Sequence, residues 1–451
     1  MAKRRVTRRS ALKAAAAAGS GAAATLLGGG VALAQAPAVA TGAQAGRRFR
    51  AFVVGANQPG TSIQASNASV QTVTMRALDD DRVVVRTEAC QCCYTIVGQA
   101  VANYQPARIL GHGAVGIVEA IGARVRRVRV GDRVIVANTP YCGQCYTCLR
   151  GRPDRCQMLP NAGNPMLPIG TLPGGSDVVQ HNNEGGFAEL MIPYEWYCMP
   201  VPTAAGVSSV ELSMLGCVGA CGLGTVFGVA PVEPASDVVV LGCGPVGLSA
   251  IQGARIKGAS QIIAIDPIRA RRELALTLGA TMALDPNVEG DGLVRKVREM
   301  CGFPFDRKFA GGRDWNPAGN NMGPDFVIEA VGGDRFPPVA EAGPDPTGLV
   351  PLRQAWDMCS SAGHVTTVSV GQRGNFTVPA GQWSNGAKHH HPGNMNGVNG
   401  LRDMQRFARL VETGQFNARA LATALYPLDR AKEAIQAASD RTTISSVITF
   451  S

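Results

Sequence analysis

The stretch Asp237–Gly247 reads DVVVLGCGPVG, and it decides the fold of the second half of the chain. An apolar run of strand length leads into Gly242, Gly244 and Gly247, spaced G-x-G-x-x-G, and a predicted helix follows over Val246–Lys257. The first glycine permits a tight turn, the second lets the backbone approach a pyrophosphate, and the third allows close helix–strand packing. Free N–H groups at the helix N-terminus bind phosphate. The stretch therefore predicts a dinucleotide-binding βαβ unit.

An acidic residue, Asp266, follows the next predicted strand, Gln261–Ile265. A carboxylate at this place accepts hydrogen bonds from the adenosine ribose hydroxyls and repels a 2′-phosphate, which favours NAD over NADP. Three nearby arginines, at 269, 271 and 272, leave NADP open, and a Rossmann core without a nucleotide is the other alternative. The residues predicted to bind the cofactor are Gly242, Gly244, Pro245, Val246, Gly247, Asp266 and Arg271.

The surrounding sequence alternates between strand and helix patterns. A helix is predicted over Arg269–Leu278, and later strands over Asp325–Ala330 and His364–Val370. Alternation of this kind predicts an α/β domain with a parallel, doubly wound sheet, which we place at residues 219–388.

Upstream, from about residue 48, short alternating segments separated by turns predict β structure. Val70–Leu78 and Arg82–Glu88 flank a run of three aspartates and are predicted to form a hairpin. Further strands are predicted at Gly116–Ile121 and Arg133–Val136. Residues 157–186 are rich in Gly, Pro and Asn and are predicted to form one long loop.

A cysteine lobe at residues 142–156 interrupts this β region. Cys142, Cys145, Cys148 and Cys156 stand as C-x2-C-x2-C-x7-C. Four thiolates on one short segment can complete a tetrahedral shell around zinc, and a shell of four protein ligands leaves no open position. The lobe therefore predicts a structural zinc site, with two disulfides as the alternative.

The cysteine lobe and the nucleotide unit together resemble the zinc-dependent alcohol dehydrogenases of the medium-chain dehydrogenase/reductase family. The resemblance covers nearly all of residues 48–451. It implies a GroES-like β domain formed by residues 48–218 and 389–451, beside a Rossmann domain at 219–388. It also implies a homo-oligomer, either a dimer or a tetramer.

The same resemblance implies a second, catalytic zinc ion. Its ligands are Cys93, His112 and Cys217, and Thr95 is the residue that takes the alcohol proton towards solvent. Cys92 is an alternative to Cys93, although the alternation of the preceding strand favours Cys93. Three protein ligands leave one position for a substrate oxygen.

Four positions depart from the family pattern. Gly113 stands where the family has a Glu after the His ligand, and Ile96 stands where it has an Asp. Gly98 replaces the terminal His of the proton relay, and Ser445 replaces an Arg that reaches the pyrophosphate. Because outer-shell carboxylates orient metal-binding histidines, these departures weaken the expectation of ordinary catalysis.

The first 40 residues are predicted to be an export signal rather than part of the fold. Thr7–Lys13 resembles the twin-arginine motif, and an Ala/Gly-rich run with small-residue cleavage triplets follows. The signal predicts a periplasmic or extracellular protein; an uncleaved membrane anchor is the alternative. Residues 1–40 contain six Lys/Arg and no acidic residue, so the formal charge of +10 leaves +4 for the mature chain. That charge, without a basic–aromatic pattern, does not indicate nucleic-acid binding.

The remaining histidines and cysteines carry weaker expectations. His181 lies in the long loop, from which it could approach a substrate, and His364 is expected to be structural. Residues 389–391 are three consecutive histidines, which are expected to form an exposed polar turn, with metal binding as the alternative. Five cysteines are expected to be small buried apolar residues: Cys198, Cys221, Cys243, Cys301 and Cys359.

The resemblance implies reversible hydride transfer between an alcohol, aldehyde or ketone and NAD. Free NAD is scarce outside the cytoplasm, so we expect NAD to be exported tightly bound and recycled by an external electron acceptor. The alternatives are an exported zinc- or nucleotide-binding protein without dehydrogenase activity, and a polyol or glutathione-adduct dehydrogenase.

Overall fold

The structure is a computed structural model that describes residues 44–56, 61–159, 165–204, 206–301, 323–393 and 397–450. The predicted export signal at 1–40 lies outside the described residues.

The first domain is built from mostly antiparallel β structure, which includes two strands from the C-terminal part of the chain. Its strands are β1 Arg48–Val54, β2 Ser69–Met75, β3 Val83–Cys92, β4 Ala107–Ile109, β5 Ala114–Ile121, β6 Arg133–Val136, β7 Gly170–Thr171, β8 Asp177–Gln180, β9 Leu190–Met191, β10 Cys198–Pro200, β17 Ala422–Pro427 and β18 Ser445–Thr449. Five of them form a closed barrel in the order β1-β2-β7-β8-β4. The others form a sheet in the order β10-β6-β5-β3-β18-β17, with β9 also paired to β3.

The predicted hairpin between Val70–Leu78 and Arg82–Glu88 is wrong. β2 pairs with β1 in the barrel, whereas β3 pairs with β5, β9 and β18 in the neighbouring sheet. The turn residue Arg82 is 1% exposed; its side chain bonds Asp79 and the carbonyl of Ile192, and lies over the ring of Tyr194. These contacts direct the chain from one sheet into the next.

The predicted long loop at 157–186 also contains regular structure. Its described residues include β7 and β8, which pair with each other and complete the barrel. Strands of two to four residues are too short to show an alternating pattern, which explains why the sequence did not indicate them.

The second domain is a parallel six-stranded sheet, as predicted. Its strands are β11 Asp237–Leu241, β12 Gln261–Ile265, β13 Met282–Leu284, β14 Phe326–Glu329, β15 His364–Thr367 and β16 His389–Pro392. Their order, β13-β12-β11-β14-β15-β16, is that of a Rossmann sheet. The sixth strand extends the sheet four residues past the predicted limit at 388. It also shows that the three histidines at 389–391 lie in an edge strand and not in a turn.

Helices cover the parallel sheet and connect the two domains. They are α1 Thr95–Ala100, α2 Tyr146–Leu149, α3 Ser209–Leu215, α4 Val218–Gly224, α5 Pro245–Lys257, α6 Arg269–Leu278, α7 Pro286–Glu289, α8 Leu293–Met300, α9 Leu349–Met358, α10 Ala380–Asn385, α11 Gly400–Glu412 and α12 Ala431–Ser439. A π-helical turn at Thr225–Val229 continues α4.

One apolar cluster runs through both domains. It contains Val115 and Ile135 of the β domain together with Val238 and Leu248 of the nucleotide unit. A shared core fixes the two domains against each other, so the residues that line the cleft between them have fixed relative positions.

Within the part of the chain that the structure describes, no single helix has the length and apolar character to cross a bilayer. Ser209–Leu215 and Val218–Val229, which meet at a bend of 47°, reach that length and composition only as a pair.

Candidate active site

The four cysteines of the lobe come together as the sequence predicts. The sulfur atoms of Cys142, Cys145, Cys148 and Cys156 all lie within 4.8 Å of one another. Those of Cys142 and Cys148 are 4.0 Å apart, close to the roughly 3.8 Å that tetrahedral zinc–thiolate bonds of about 2.3 Å require. All thirteen cysteines are free thiols, so the alternative of two disulfides is not formed. The lobe fits one zinc ion with no open position.

Backbone N–H groups donate to two sulfur atoms of the lobe, whereas burial raises the pKa of Cys148 to about 11 and that of Cys156 above its usual range. The N–H of Cys145 donates to the sulfur of Cys142 at 3.3 Å, and the N–H of Gln157 donates to the sulfur of Cys145 at 3.5 Å. Burial alone would raise the pKa of Cys145. Hydrogen bonds from the Gln157 N–H and the Thr147 hydroxyl outweigh burial and lower the pKa to about 6. A depressed thiol pKa suits a metal ligand, because the thiolate is the binding form.

The second ligand set meets in the cleft. Cys93 follows β3, His112 lies between β4 and β5, and Cys217 immediately precedes α4. The donor atoms of these three residues lie within 4.8 Å of one another, and no other group of three or more candidate ligands besides this set and the lobe occurs among the described residues. Cys92, the alternative ligand, is instead packed in an apolar cluster and is 2% exposed.

The donor set fits a catalytic zinc ion. Two thiols and one imidazole are ligands that zinc prefers, and three ligands leave a fourth position for a small molecule. The Nδ1 atom of His112 is buried without a hydrogen-bond partner. A hydrogen bond with Cys217, together with contacts to His112 and Thr95, holds the pKa of Cys93 well below its usual range despite burial. Asn138 donates to the sulfur of Cys217 at 3.4 Å.

A buried carboxylate that the sequence analysis missed lies beside His112. Glu184 has no exposed surface, and its Oε2 accepts a hydrogen bond from the N–H of Gly113 at 2.9 Å. Burial raises the pKa of Glu184 to about 8, against the opposing effects of His112 and the Gly113 N–H. The two residues that it joins are 71 positions apart, so spacing did not indicate the contact. The only signal was an acidic residue before a Gly-Gly pair in the predicted loop.

The geometry also explains why Gly113 is a glycine. Its φ of +70° is in the left-handed region, and a Cβ there would lie 2.9 Å from the Cβ of Cys217 and 3.0 Å from Nε2 of Gln91. A glutamate at this position is therefore excluded on steric grounds. Ile96, at the other carboxylate position of the family, is fully buried in the β-domain core.

The predicted proton-transfer residue Thr95 is the first residue of α1 and lines the cleft beside the ligand set. Its hydroxyl oxygen is buried and lies close to the thiol of Cys93. The space around Gly98 is open, since a Cβ there would meet no atom within 4 Å. The Oε1 atom of Gln99, which also lines the cleft, is buried and unpartnered.

The glycine motif forms the cradle that its spacing predicts. Gly242 has a φ of +89°, and a Cβ on Gly247 would lie only 1.8 Å from the carbonyl oxygen of Gly242. Asp266 is 4% exposed; its carboxylate accepts hydrogen bonds from the N–H of Cys243 at 2.7 Å and of Ile268 at 2.8 Å. These bonds fix the carboxylate at the end of β12, where a ribose would lie.

Two positively charged arginine side chains line the cleft. Arg271 lines the cavity, its Nη2 donates to the carbonyl of Thr443 at 3.2 Å, and its Nε is buried without a partner. Arg441, which the sequence analysis missed, also lines the cavity and pairs with Asp334. Ser445, at the family's arginine position, is buried in β18 and bonds the carbonyl of Ser446. Arg441 was missed because it is four residues from the position that the family pattern indicates.

The other histidines lie outside the cavity lining. His181 is 9% exposed, and burial lowers its pKa to about 3, with further lowering from His112 and Arg108. His364 stacks on Phe326, and its Nδ1 is 2.9 Å from Nε2 of His391 on the edge strand. His112 is therefore the only histidine in the ligand set among the described residues.

One cavity of about 330 Å³ joins the two predicted sites. Its lining includes ligand-set residues from the β domain and, from the nucleotide unit, Gly242, Gly244, Pro245, Val246 and Asp266. A metal ion at the first group and a dinucleotide along the second would therefore share a single cavity.

Comparison with known proteins agrees with this architecture. Residues 79–203 match the alcohol dehydrogenase GroES-like domain, and residues 245–342 match the zinc-binding dehydrogenase domain. A benzyl alcohol dehydrogenase from Acinetobacter calcoaceticus has the same fold, with a TM-score of 0.73, 25% identity, and coverage of 90% of this chain and 100% of that one. The fold is therefore a GroES-like domain with a Rossmann domain.

Curated relatives match over about half of the chain. An S-(hydroxymethyl)glutathione dehydrogenase of Saccharomyces cerevisiae is 32% identical over 53% of this chain and 65% of its own length. A geraniol dehydrogenase of Castellaniella defragrans is 35% identical over 52% of this chain and 64% of its own length. The chain thus spans just under two thirds of the length of these relatives.

Proposed function

We propose that this chain, which carries the GroES-like and zinc-binding domains of the zinc-type alcohol dehydrogenases and has alcohol dehydrogenases as homologues, is a zinc- and nicotinamide-dependent alcohol dehydrogenase. The observation that carries the proposal is the shared cavity, in which a three-ligand metal set faces a dinucleotide cradle. The substrate would be a small alcohol, or the corresponding aldehyde or ketone.

Cys93, His112 and Cys217 would hold the catalytic ion, and the cysteine lobe would hold a second, structural ion. When bound, zinc supplies Lewis acidity towards a substrate oxygen, and the nicotinamide ring supplies a hydride acceptor or donor. The protein's own contribution is orientation: the shared core of the two domains fixes the ligand set relative to the nucleotide cradle.

Oxidation of an alcohol releases a proton as well as a hydride, and Thr95 is placed to take the proton. Its buried hydroxyl lies beside the ligand set, in contact with the thiol of Cys93. Because Gly98 offers open space but no side chain, the proton would pass from the Thr95 hydroxyl to water, and not to a histidine. The buried Oε1 of Gln99 is a further acceptor along this wall.

The contacts around Asp266 support NAD as the cofactor. Arg272 pairs with Asp285 at 2.9 Å, which competes with a 2′-phosphate for this arginine, and Arg269 forms an exposed pair with Glu273 at 2.8 Å. Arg271 instead lies 4.0 Å from the position of a Cβ on Gly244, next to the pyrophosphate turn. With the Asp266 carboxylate fixed, a 2′-phosphate would meet unbalanced negative charge.

We propose further that the protein is exported by the twin-arginine route and carries NAD tightly bound. The route moves folded proteins, so zinc and NAD could be loaded before export. Each catalytic cycle would move a hydride from the alcohol to NAD, and an external electron acceptor would then reoxidise the NADH in place. Homologues include enzymes of glutathione adducts and of terpene alcohols, which leaves the class of alcohol to experiment.

The experiment is purification of the mature protein without added nucleotide, followed by denaturation and quantification of released NAD. We expect close to one NAD per chain, and reduction of an added dye by alcohols without any addition of NAD. A preparation empty of nucleotide, whose turnover depends wholly on added NAD, would contradict the bound-cofactor proposal but not the dehydrogenase assignment. Failure of a screen of alcohols and aldehydes with both NAD and dye would contradict the assignment itself.

A further inference from the structure

We propose that Glu184 is the positioning residue that orients His112 for its metal ion, in place of the carboxylates that relatives carry at the positions of Gly113 and Ile96. The inference rests on the proposed function of the cleft. It concerns how this chain orients a metal-binding histidine without a carboxylate at residue 113 or 96.

The first observation is the way in which the peptide unit between His112 and Gly113 is held. Its N–H donates to Oε2 of Glu184 at 2.9 Å, and its carbonyl oxygen accepts from Nε2 of Gln91 at 2.9 Å. Both side chains are fully buried. The backbone that carries the imidazole is thus fixed from two sides by side chains that do not themselves belong to the ligand set.

The second observation concerns one further polar atom on each of Glu184 and His112. Oε1 of Glu184 and Nδ1 of His112 are both buried, and neither has a hydrogen-bond partner among the described residues. Buried polar atoms are nearly always paired, directly or through one water molecule. A metal-binding histidine usually donates its other ring N–H to a carboxylate or carbonyl, which fixes the tautomer and the ring orientation. The two atoms form no direct hydrogen bond with each other, so Glu184 would supply such an acceptor to His112 through one bridging water molecule.

The third observation is that the protein positions Glu184 through an unusual local backbone. Asn182 and Asn183, immediately before it, have φ values of 55° and 62°, in the left-handed region that few residues other than glycine tolerate. The Nε2 of Gln180 donates to the carbonyl of Glu184 at 2.6 Å. A Cβ on Gly186 would lie 2.5 Å from the sulfur of Cys90. This turn therefore packs tightly against the strand that leads to Cys93.

Steric exclusion at Gly113 completes the argument. A carboxylate cannot be attached at residue 113 without displacing Cys217, one of the three ligands. A carboxylate that enters from the 181–186 turn reaches the same peptide unit without that conflict. The departure at Gly113 and the presence of buried Glu184 are therefore two parts of one arrangement.

The variant Glu184→Gln tests the role of the carboxyl group, because the amide oxygen of glutamine can still accept from the Gly113 N–H. We expect the folded variant to keep the zinc of the cysteine lobe and its melting temperature. We expect it to bind zinc at the second site about 10–100-fold more weakly in chelator competition. In cobalt-substituted protein, the visible absorption bands of the second site should shift. Glu189→Gln is the matched control: this exposed carboxylate, five residues later, bonds the N–H of Arg50 and is remote from the ligands.

A second variant, Glu184→Asp, separates charge from packing. If the carboxylate matters, Glu184→Asp retains tighter zinc binding than Glu184→Gln, whereas equal losses in both variants would overturn the inference. Wild-type zinc affinity and an unshifted cobalt spectrum in Glu184→Gln would also overturn it. These measurements do not use turnover. A wild-type protein with two zinc ions but no dehydrogenase activity would therefore remove the proposed function and leave the role of Glu184 intact.

Discussion

Replacement of Cys217 by serine should lower the zinc content from two ions per chain to one and reduce alcohol oxidation by about 1000-fold or more. The estimate follows from the several kcal/mol that a catalytic metal contributes, since each 1.36 kcal/mol changes a rate tenfold. Cys217 is one of three converging ligands, and its substitution leaves only Cys93 and His112. Metal analysis and steady-state rates with a responsive alcohol measure both effects.

Cys221→Ser is the matched control for this variant. Cys221 lies on α4, the helix that Cys217 immediately precedes, and lines the same cavity; its thiol contacts that of Cys217, but it does not belong to the ligand set. We expect the control to keep two zinc ions and activity within a few-fold of wild type. Equal loss of metal and rate in both variants would show that the effect comes from disturbing the helix rather than from removing a ligand.

Replacement of Cys148 by serine should leave the second site formed but destabilise the whole β domain. A structural zinc contributes its binding free energy to folding, so loss of one of four ligands should lower the free energy of unfolding by several kcal/mol. For a chain of this size we expect a fall in melting temperature of about 10 °C. Calorimetry together with metal analysis would show one zinc lost along with the stability.

The control for the lobe is a buried cysteine that belongs to neither group of candidate metal ligands. Cys301 is buried in the apolar cluster of the parallel sheet, and its thiol lies 3.6 Å from Oε1 of Gln261. Cys301→Ser should cost about 1 kcal/mol, as ordinary single substitutions do, with no change in zinc content. A Cys148→Ser protein that matches this control in stability would contradict a structural role for the lobe.

The sequence predicted most accurately those elements and sites whose residues lie close together in the chain. The bounds of β11, β12 and α6 match the predicted elements, because a buried parallel strand is a continuous apolar run and Gly279 ends the helix. The cysteine lobe was readable because its ligands are close in the chain. The three-residue set needed a resemblance, since its members are brought together only by the fold.

Other features depend on contacts between distant segments. β2 pairs with β1 and not with β3, and Arg82, between β2 and β3, is buried against residues 192 and 194, far along the chain. Glu184 and Arg441 were missed for the same reason, because their proximity to Gly113 and to the cofactor cleft exists only in three dimensions. Conversely, the absence of a carboxylate at residue 113 suggested that no carboxylate supports His112. The structure shows that Glu184 lies next to this histidine.

The rival interpretation is an exported zinc- or nucleotide-binding protein without dehydrogenase activity. It drew its support from the absent polar groups at Gly113, Ile96 and Gly98. The buried carboxylate of Glu184 beside His112 removes part of that support, whereas the absent relay histidine at Gly98 remains. The two interpretations differ most sharply in whether Cys93, His112 and Cys217 bind a metal ion.

The most direct test is therefore the zinc content of the mature, wild-type protein after dialysis against metal-free buffer, measured by inductively coupled plasma mass spectrometry. The dehydrogenase proposal predicts two zinc ions per chain, one in the cysteine lobe and one at Cys93, His112 and Cys217. A value of one zinc per chain, unchanged after reconstitution with excess zinc, would contradict it.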